Sequence, residues 1–254
     1  MDHKPVYYGE YLQLDKILNA QDPESGKDGK TMAHDEMLFI IIHQSYELWF
    51  KQVLFEVNSI IEIMDKPRVN DNSGDMQAVV HRLNRVVTIL RMLVQKIDIL
   101  DTMTPMDFLD FRDMLRPASG FQSWQFKVLE ARLGLKFDNR FGQQYYLSQL
   151  NQKEIDIIKN AEKGKSVVQL LNSWLERMPF AEDKKYWPEE HNYWTEYEKI
   201  FTGSLSEAEK NNAAFFKHYL FTNDNNAERS LSSKACRSAL FIMLYRGYPM
   251  LELP

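Results

Sequence analysis

The sequence contains few of the residues that cross-link or interrupt a fold. Its 254 residues include one cysteine, Cys236, with ten glycines and nine prolines. A single cysteine excludes an intramolecular disulfide and a cysteine-based metal cluster within the chain. It suits a reducing compartment, so we expect a cytoplasmic protein. The sparse glycines and prolines lie mostly at predicted helix boundaries, which is typical of long helices.

Long apolar segments and basic clusters are also missing. The longest apolar runs, 37–42 and 239–245, are far shorter than the roughly 20 residues that span a bilayer. The N-terminus has no basic segment followed by an apolar core, so no signal peptide is predicted. The formal net charge is −5 and no run is rich in lysine or arginine. We therefore expect a soluble protein with neither a membrane nor a nucleic-acid partner.

Helical periodicity is what the sequence does have. With 44% hydrophobic residues the chain can bury a sizeable core, and no alternating strand pattern, internal repeat or domain linker interrupts it. We predict an all-α protein, a helical bundle with 1–254 as a single domain and an N-terminal arm over about 1–30. The predicted helices lie near 35–64, 75–102, 105–116, 123–133, 151–162, 165–178, 188–201, 206–221 and 231–246.

His43 lies within the most apolar of these helices. Motifs such as GxGxxG, Walker A, HExxH and CxxC are absent, and the six histidines form no closely spaced metal-binding pair. His43 alone falls on a strong apolar stripe. Such a histidine is more often structural, hydrogen-bonded to a carbonyl or to Glu47 one turn later, than functional. The pattern leaves both interpretations open.

Arg112 has no acidic neighbour at helical spacing. Its neighbours three and four residues away are Phe108, Leu109, Leu115 and Arg116, whereas a solvated helix arginine commonly finds a carboxylate there. Its guanidinium must therefore reach either a distant carboxylate of the protein or the carboxylate of a ligand, which it can hold with two parallel hydrogen bonds.

Two tyrosines and a loop are further candidates. Tyr8 and Tyr11 precede the first long helix, where they either fasten the arm or cover a pocket in this subunit or in a neighbour. The loop "PASGF" follows the Arg112 helix and offers Ser119 together with backbone amides. Such a loop is also commonly no more than a turn.

Four segments of the chain carry a family resemblance. They are "YYGEYLQLDKILNAQ", "HDEMLFIIIHQSYELWFKQVLFEV", "LDTMTPMDFLDFRDMLRPASGFQSWQFKVLE" and "LSSKACRSALFIMLYRGYPMLELP", in this order. Together they resemble the tryptophan 2,3-dioxygenases over essentially the whole chain, with 135–225 matching only loosely. The resemblance implies an all-α enzyme that uses haem b and is usually a homotetramer. It also implies insertion of both atoms of O2 across the indole C2–C3 bond of L-tryptophan to give N-formylkynurenine, the first step of the kynurenine pathway.

The resemblance also assigns roles to residues. His43, the catalytic candidate, resembles the family's distal histidine, which faces the oxygen side of the haem and hydrogen-bonds the indole N–H. Phe39 resembles the residue that packs on the indole, and Arg112 the one that binds the substrate carboxylate. The tyrosines of the arm resemble residues that close a neighbouring subunit's site. The implied substrate-binding set is Phe39, Ile40, Ile41, Ile42, His43, Phe108, Arg112, Tyr8 and Tyr11, and the implied haem contacts are Ser119 and Gly120.

One part of the family pattern has no match in this sequence. After a stretch like "YPMLELP" (248–254) the family carries further helices, the proximal histidine that ligates the haem iron, and a loop rich in glycine and threonine. We therefore expect no metal ligand within 1–254, and a chain that is C-terminally incomplete relative to the family. The alternative function is a haem-free, non-catalytic module that binds tryptophan or a partner helix.

Overall fold

The computed structural model describes residues 5–29, 31–135, 147–177, 193–222 and 231–245. These residues form α-helices and short 3-10 helices, with no strand among them. The predicted all-α class is therefore confirmed. No helix in this part of the chain is long and apolar enough to cross a membrane.

The helices begin and end close to the positions that periodicity predicts. The sequence prediction for 75–102 is met by an α-helix followed by a 3-10 helix, Ile97–Thr102, and the helix predicted to end by Arg116 ends at Arg112. Predicted helix residues 178, 188–192 and 246 lie outside the described residues. The α-helices are α1 (Tyr8–Leu12), α2 (Leu14–Leu18), α3 (His34–Met64), α4 (Gly74–Lys96), α5 (Pro105–Arg112), α6 (Trp124–Leu133), α7 (Gln152–Lys163), α8 (Val167–Glu176), α9 (Tyr193–Ser204), α10 (Lys210–Phe221) and α11 (Ser233–Tyr245).

The chain falls into two compact units. Among the described residues, the first comprises 5–29, 31–57, 80–129 and 147–159, and the second comprises 58–79, 130–135, 160–177, 193–222 and 231–245. Helices α3 and α4 each contribute residues to both units. The single-domain organisation of 1–254 stays a prediction.

The first unit is held together by contacts that involve α3. The Tyr46 hydroxyl on α3 donates to the Leu93 carbonyl on α4 at 2.6 Å, and burial raises the pKa of this tyrosine. The Gln125 amide on α6 donates to both the backbone and the carboxylate of Glu47, at 3.0 and 2.7 Å. These hydrogen bonds join residues far apart in sequence, and they attach both α4 and α6 to α3.

The N-terminal arm is tied to the start of α3 through one buried carboxylate. Glu36 is fully buried and accepts hydrogen bonds from the backbone N–H groups of Glu24 and Ser25, at 2.8 and 2.9 Å. Burial acts to raise the pKa of Glu36, but the hydrogen bonds from Ser25 and Glu24 outweigh it, aided by the charge of Lys27, so the pKa is lowered. The earlier part of the arm, α1 and α2, buries no residue.

The second unit has an aromatic core. Trp194, Phe216 and Leu220 are buried together, with partly buried aromatic and aliphatic side chains and Cys236 packed around them. The rings of Phe201 and Phe216 stack with their centroids 4.3 Å apart. Stacked and edge-on ring pairs add to the free energy gained by burial, so ring geometry as well as buried area stabilises this core.

Candidate functional site

The helix that carries Arg112 starts at a well-formed cap. The backbone N–H and the hydroxyl of Thr104 both donate to the Asp107 carboxylate, at 2.8 and 2.6 Å, and the Thr104 hydroxyl oxygen accepts from the Asp107 N–H at 3.3 Å. The Thr104 hydroxyl, followed by its backbone N–H, lowers the pKa of the Asp107 carboxyl. Pro105 occupies the first helical position, where its missing N–H costs nothing. The predicted N-cap at Thr104 is confirmed.

Three phenylalanines from α3 and α5 form what we call the aromatic cluster: Phe39, Phe108 and Phe111. Ring centroids lie 5.6 Å apart between Phe39 and Phe108, 5.5 Å between Phe39 and Phe111, and 5.4 Å between Phe108 and Phe111. Phe111 is fully buried, whereas Phe39 and Phe108 are half-buried. The cluster therefore has a closed back and a front that a planar apolar group can reach.

His43 borders the front of the aromatic cluster. Its ring centroid lies 4.2 Å from that of Phe39, and its Nδ1 is 2.7 Å from the Phe39 carbonyl oxygen. A carbonyl only accepts, so Nδ1 must carry the proton in this hydrogen bond. When the ring is neutral, Nε2 is then left as a hydrogen-bond acceptor.

The structure corrects the sequence interpretation of His43 as a residue of the buried stripe, because its side chain is exposed. The buried face of α3 runs through Ile42, Val53 and Val57. A helix turns by about 100° per residue, which carries His43 away from the face that Ile42 buries. Of the two hydrogen-bond partners left open, the carbonyl is the observed one, and Glu47 bonds to Gln125 instead.

Arg112 lies beside the aromatic cluster on the α5 side. Its guanidinium carbon is 5.8 Å from the centroid of the Phe108 ring, close enough for a cation–π contact. The side chain is exposed, and no carboxylate of the described residues forms an ion pair with it. The arrangement leaves the guanidinium available to a ligand carboxylate.

The three isoleucines of α3 are not equivalent. Ile42 is buried, Ile40 is half-buried and Ile41 is 48% exposed. Two residues along a helix correspond to a rotation of about 200°, so Ile41 lies on the side of α3 opposite Phe39. The structure does not bring Ile41 to the aromatic cluster, although the family resemblance placed Ile41 among the substrate-binding residues.

The loop residues Ser119 and Gly120 begin a 3-10 helix, Gly120–Gln122. The Ser119 hydroxyl accepts from the Phe121 N–H at 3.3 Å, and the Gln122 side-chain oxygen accepts from the Ser119 N–H at 3.0 Å. A Cβ on Gly120 would meet no atom within 4 Å, in keeping with the exposed position of this glycine.

Tyr8 and Tyr11 are 76% and 75% exposed on α1. No hydrogen bond or ring contact in the described part of the chain joins them to the aromatic cluster. Of the two roles left open by the sequence, fastening the arm is not supported for these side chains, because neither is buried.

A haem requires an apolar surface for its macrocycle and a protein ligand for its iron. A haem presents a flat, largely apolar face, and the half-buried rings of Phe39 and Phe108, with centroids 5.6 Å apart, suit such a face. No group of three or more histidine, cysteine or acidic side chains capable of holding a metal ion occurs within the described ranges. The described residues therefore suit one apolar face of the haem macrocycle.

The residue that sequence reasoning missed is Phe111. It stands three positions after Phe108, which places the two rings on neighbouring positions of one helix face. That spacing within "DFLDFRD" was a usable signal. Its burial and its contact with Phe39 depend on how α3 and α5 pack, which spacing does not report.

These observations define a class of protein: an all-α chain with an aromatic site that carries a hydrogen-bond acceptor on one side and, on the other, a guanidinium that no carboxylate of the described residues pairs with. The family model described as tryptophan 2,3-dioxygenase matches residues 2–254. The chain belongs to the tryptophan 2,3-dioxygenase family, which confirms the resemblance found in the sequence.

Individual relatives agree with this family. The chain is 38% identical to the tryptophan 2,3-dioxygenase of Bdellovibrio bacteriovorus, with 100% of this chain and 76% of the relative covered. It is 42% identical to that of Alteromonas mediterranea, covering 99% and 75%. It is 40% identical to that of Dictyostelium discoideum, covering 99% and 68%.

Proposed function

We propose that the chain is a tryptophan 2,3-dioxygenase, a haem-dependent oxidoreductase that inserts both atoms of O2 across the indole C2–C3 bond of L-tryptophan to give N-formylkynurenine. The observation that carries the proposal is the aromatic cluster with His43 on its α3 side and Arg112 on its α5 side. Family membership and the names of the relatives favour this enzyme over a non-catalytic binding module.

The indole end of the substrate is assigned to α3. Its flat ring packs on Phe39, and its N–H donates to Nε2 of His43, the nitrogen left as acceptor by the hydrogen bond from Nδ1 to the Phe39 carbonyl. An apolar surface with a single acceptor selects a ring that carries a single N–H. On this view His43 mainly orients the indole, and orientation is itself a large contribution to rate.

The carboxylate end is assigned to α5. Arg112 offers two parallel N–H donors, the geometry that a carboxylate accepts. Phe108 lies under the guanidinium and lines the same site. Because the ion pair between Arg112 and the substrate carboxylate forms next to apolar rings, its charge–charge attraction is stronger than it would be in open water. The buried Ile42 and half-buried Ile40 contribute the apolar surroundings on α3.

Haem b is the cofactor we assign to this site, since haem is the cofactor of the family. Bound haem supplies the iron that activates O2. Ser119 and Gly120 are the residues we expect beside it, because they match the family's loop next to the haem. That no residue of 1–254 ligates the iron remains the prediction from the sequence.

The arm and the assembly complete the proposal. Tyr8 and Tyr11 present exposed aromatic rings, and we assign them to the closure of a neighbouring subunit's site in a homotetramer. We place the enzyme in the cytoplasm, as the single cysteine suggests.

Two measurements on the full chain test the function. The first is a haem titration followed by the Soret band, and the second is mass spectrometry of the product formed from L-tryptophan and isotopically labelled O2. Because no iron ligand is expected within 1–254, we expect a haem complex and N-formylkynurenine that carries both labelled atoms once the family's C-terminal segment is supplied. Absence of haem uptake, even after the family's C-terminal segment is added, contradicts the proposal. Stoichiometric binding of tryptophan without haem uptake supports the non-catalytic alternative.

A further inference from the structure

Phe111 joins the two helices that carry the site. Its side chain is 0% exposed, so it does not itself reach a ligand. Its ring meets Phe108 on the same helix at an interplanar angle of 87° and Phe39 on α3 at 63°. Both are edge-on contacts, which depend on ring geometry as well as on buried area.

Each of those two rings in turn contacts one polar group of the site. Phe39 lies against the His43 ring, at 4.2 Å between centroids. Phe108 lies under the Arg112 guanidinium, at 5.8 Å. Phe111 is therefore linked by side-chain contacts to both polar groups of the site. Phe39 connects it to the His43 ring, and Phe108 connects it to the Arg112 guanidinium.

We propose that Phe111 is a positioning residue that fixes the spacing between His43 and Arg112, and thereby the fit of a ligand that must engage both at once. The inference rests on the function proposed above, because L-tryptophan is a ligand with an indole N–H at one end and a carboxylate at the other. It goes beyond that function by assigning a role to a residue that contacts neither end.

The physical reason is that α3 and α5 are separate elements. Nothing in the backbone sets the distance between the His43 and Arg112 side chains, so packing must do so. A fully buried ring wedged against two others has few alternative rotamers. A smaller aliphatic side chain leaves the rings of Phe39 and Phe108 room to tilt. A displacement of about 1 Å in a binding site can remove a large part of the benefit of correct ligand positioning.

The test compares two buried phenylalanines. Phe111→Leu is paired with Phe216→Leu, a matched control, because Phe216 is 1% exposed and belongs to the aromatic core of the second unit. Both variants lose the same atoms from a packed interior. The measurements on the full chain are the Kd of L-tryptophan by calorimetry and the midpoint of thermal unfolding. If Phe111→Leu fails to fold, Phe111→Met serves instead, because it retains a long side chain and lacks the ring.

We expect Phe111→Leu to weaken L-tryptophan binding by about tenfold and Phe216→Leu to leave it within about twofold, at comparable losses of thermal stability. A thermodynamic cycle with Arg112→Lys adds a measurement that a merely structural role would not change. If Phe111 positions Arg112, the effect of Phe111→Leu shrinks in the Arg112→Lys background.

Three results decide the question. A strong, non-additive effect of Phe111→Leu supports the inference. Equal weakening by the two phenylalanine variants, or strict additivity with Arg112→Lys, overturns it while leaving the proposed function intact. A wild-type chain that binds no L-tryptophan with or without haem, even after the family's C-terminal segment is added, overturns the proposed function, and that result is seen before any variant is compared.

Discussion

The tautomer of His43 is fixed by its own helix. Because Nδ1 donates to the Phe39 carbonyl at 2.7 Å, the acceptor nitrogen is held in one place without a second residue. The same hydrogen bond keeps the imidazole against the Phe39 ring, so the apolar and polar contacts to an indole come from side chains one helical turn apart. The role of one atom, the acceptor nitrogen Nε2 of His43, can therefore be tested by itself.

Replacing His43 with leucine removes the acceptor and retains a comparable apolar volume. We expect His43→Leu to weaken L-tryptophan binding by about 1 kcal/mol, roughly fivefold, the value of one neutral hydrogen bond. Tryptophan methylated on the indole nitrogen should bind wild type and variant equally, because it has no N–H to donate. Calorimetry with both ligands checks this. Equal loss for the two ligands would assign His43 a packing role instead.

Arg112 gives a second prediction at this scale. Arg112→Ala should weaken L-tryptophan binding by about 2 kcal/mol, since it deletes charge-assisted hydrogen bonds, and should leave haem uptake intact. Arg116→Ala is the control, because Arg116 is exposed and pairs with Asp113 at 3.2 Å. Calorimetry and a Soret titration report the two quantities separately. Loss of haem uptake with unchanged tryptophan affinity would contradict the role of Arg112.

How far the site could be predicted differs from residue to residue. The missing acidic neighbour of Arg112 was visible in the sequence, and the structure agrees with it within the described residues. The exposure of His43 was not, because an apolar run of isoleucines masks which face α3 buries. Phe111 could not be assigned a contact with Phe39, since that contact joins residues 72 positions apart.

Among the secondary-structure elements, the helices were predictable and their ends were less so. Apolar residues at helical spacing mark α3 and α4, and "TPMD" marks the start of α5 through the Thr104 and Asp107 cap. The same signals do not report where the last turn tightens to 3-10 geometry, as at Ile97–Thr102. The two geometries differ by one residue in hydrogen-bond spacing, and tertiary packing decides between them.

The cap of α5 supports both Phe108 and Arg112, so its loss should be measurable. Thr104→Ala should lower the free energy of unfolding by about 1 kcal/mol, the typical value of a threonine N-cap. Urea unfolding measures it. Thr102→Ala is the control, because the Thr102 hydroxyl donates to the Ile99 carbonyl and caps no α-helix. An unchanged urea midpoint for Thr104→Ala would show that the cap does not limit stability.

The attachment of the arm to α3 predicts a pH dependence. The pKa of Glu36 is lowered in the folded chain, so the folded state binds protons less readily than the unfolded state. Its stabilising effect is therefore complete above the unfolded carboxyl pKa of about 4.3. It is lost as the pH falls from there through the lowered folded pKa.

Glu36→Gln tests this effect. At neutral pH we expect it to lower the free energy of unfolding by about 1 to 3 kcal/mol, since a charged acceptor of two backbone N–H groups is replaced by a neutral one. The difference from wild type should shrink below about pH 4. Denaturant titrations between pH 3 and 7 measure it, with Glu10→Gln on exposed α1 as the control. A difference that stays constant with pH would contradict the assignment.

At the scale of the whole molecule, exposed apolar side chains are concentrated on the arm and on the helices of the first unit. Large exposed apolar patches usually mark a contact with another chain, and these side chains are the candidates for one. The exposed residues of the arm and of the two long helices include Val6, Tyr7, Tyr8, Tyr11, Leu18, Ile41, Leu48, Phe55, Val80, Val87 and Val94.

We expect self-association, and the homotetramer proposed from the family gives a native mass near 120 kDa for four chains of 30.0 kDa, measured by light scattering after size-exclusion chromatography. If Tyr8 and Tyr11 close a neighbouring site, the double variant Tyr8→Ser/Tyr11→Ser should raise the KM for L-tryptophan severalfold, because a partly open site holds its substrate less tightly. Tyr7→Ser is the matched control, since Tyr7 is as exposed as its neighbours but has no assigned role. A fully active species at 30.0 kDa would show that each chain closes its own site.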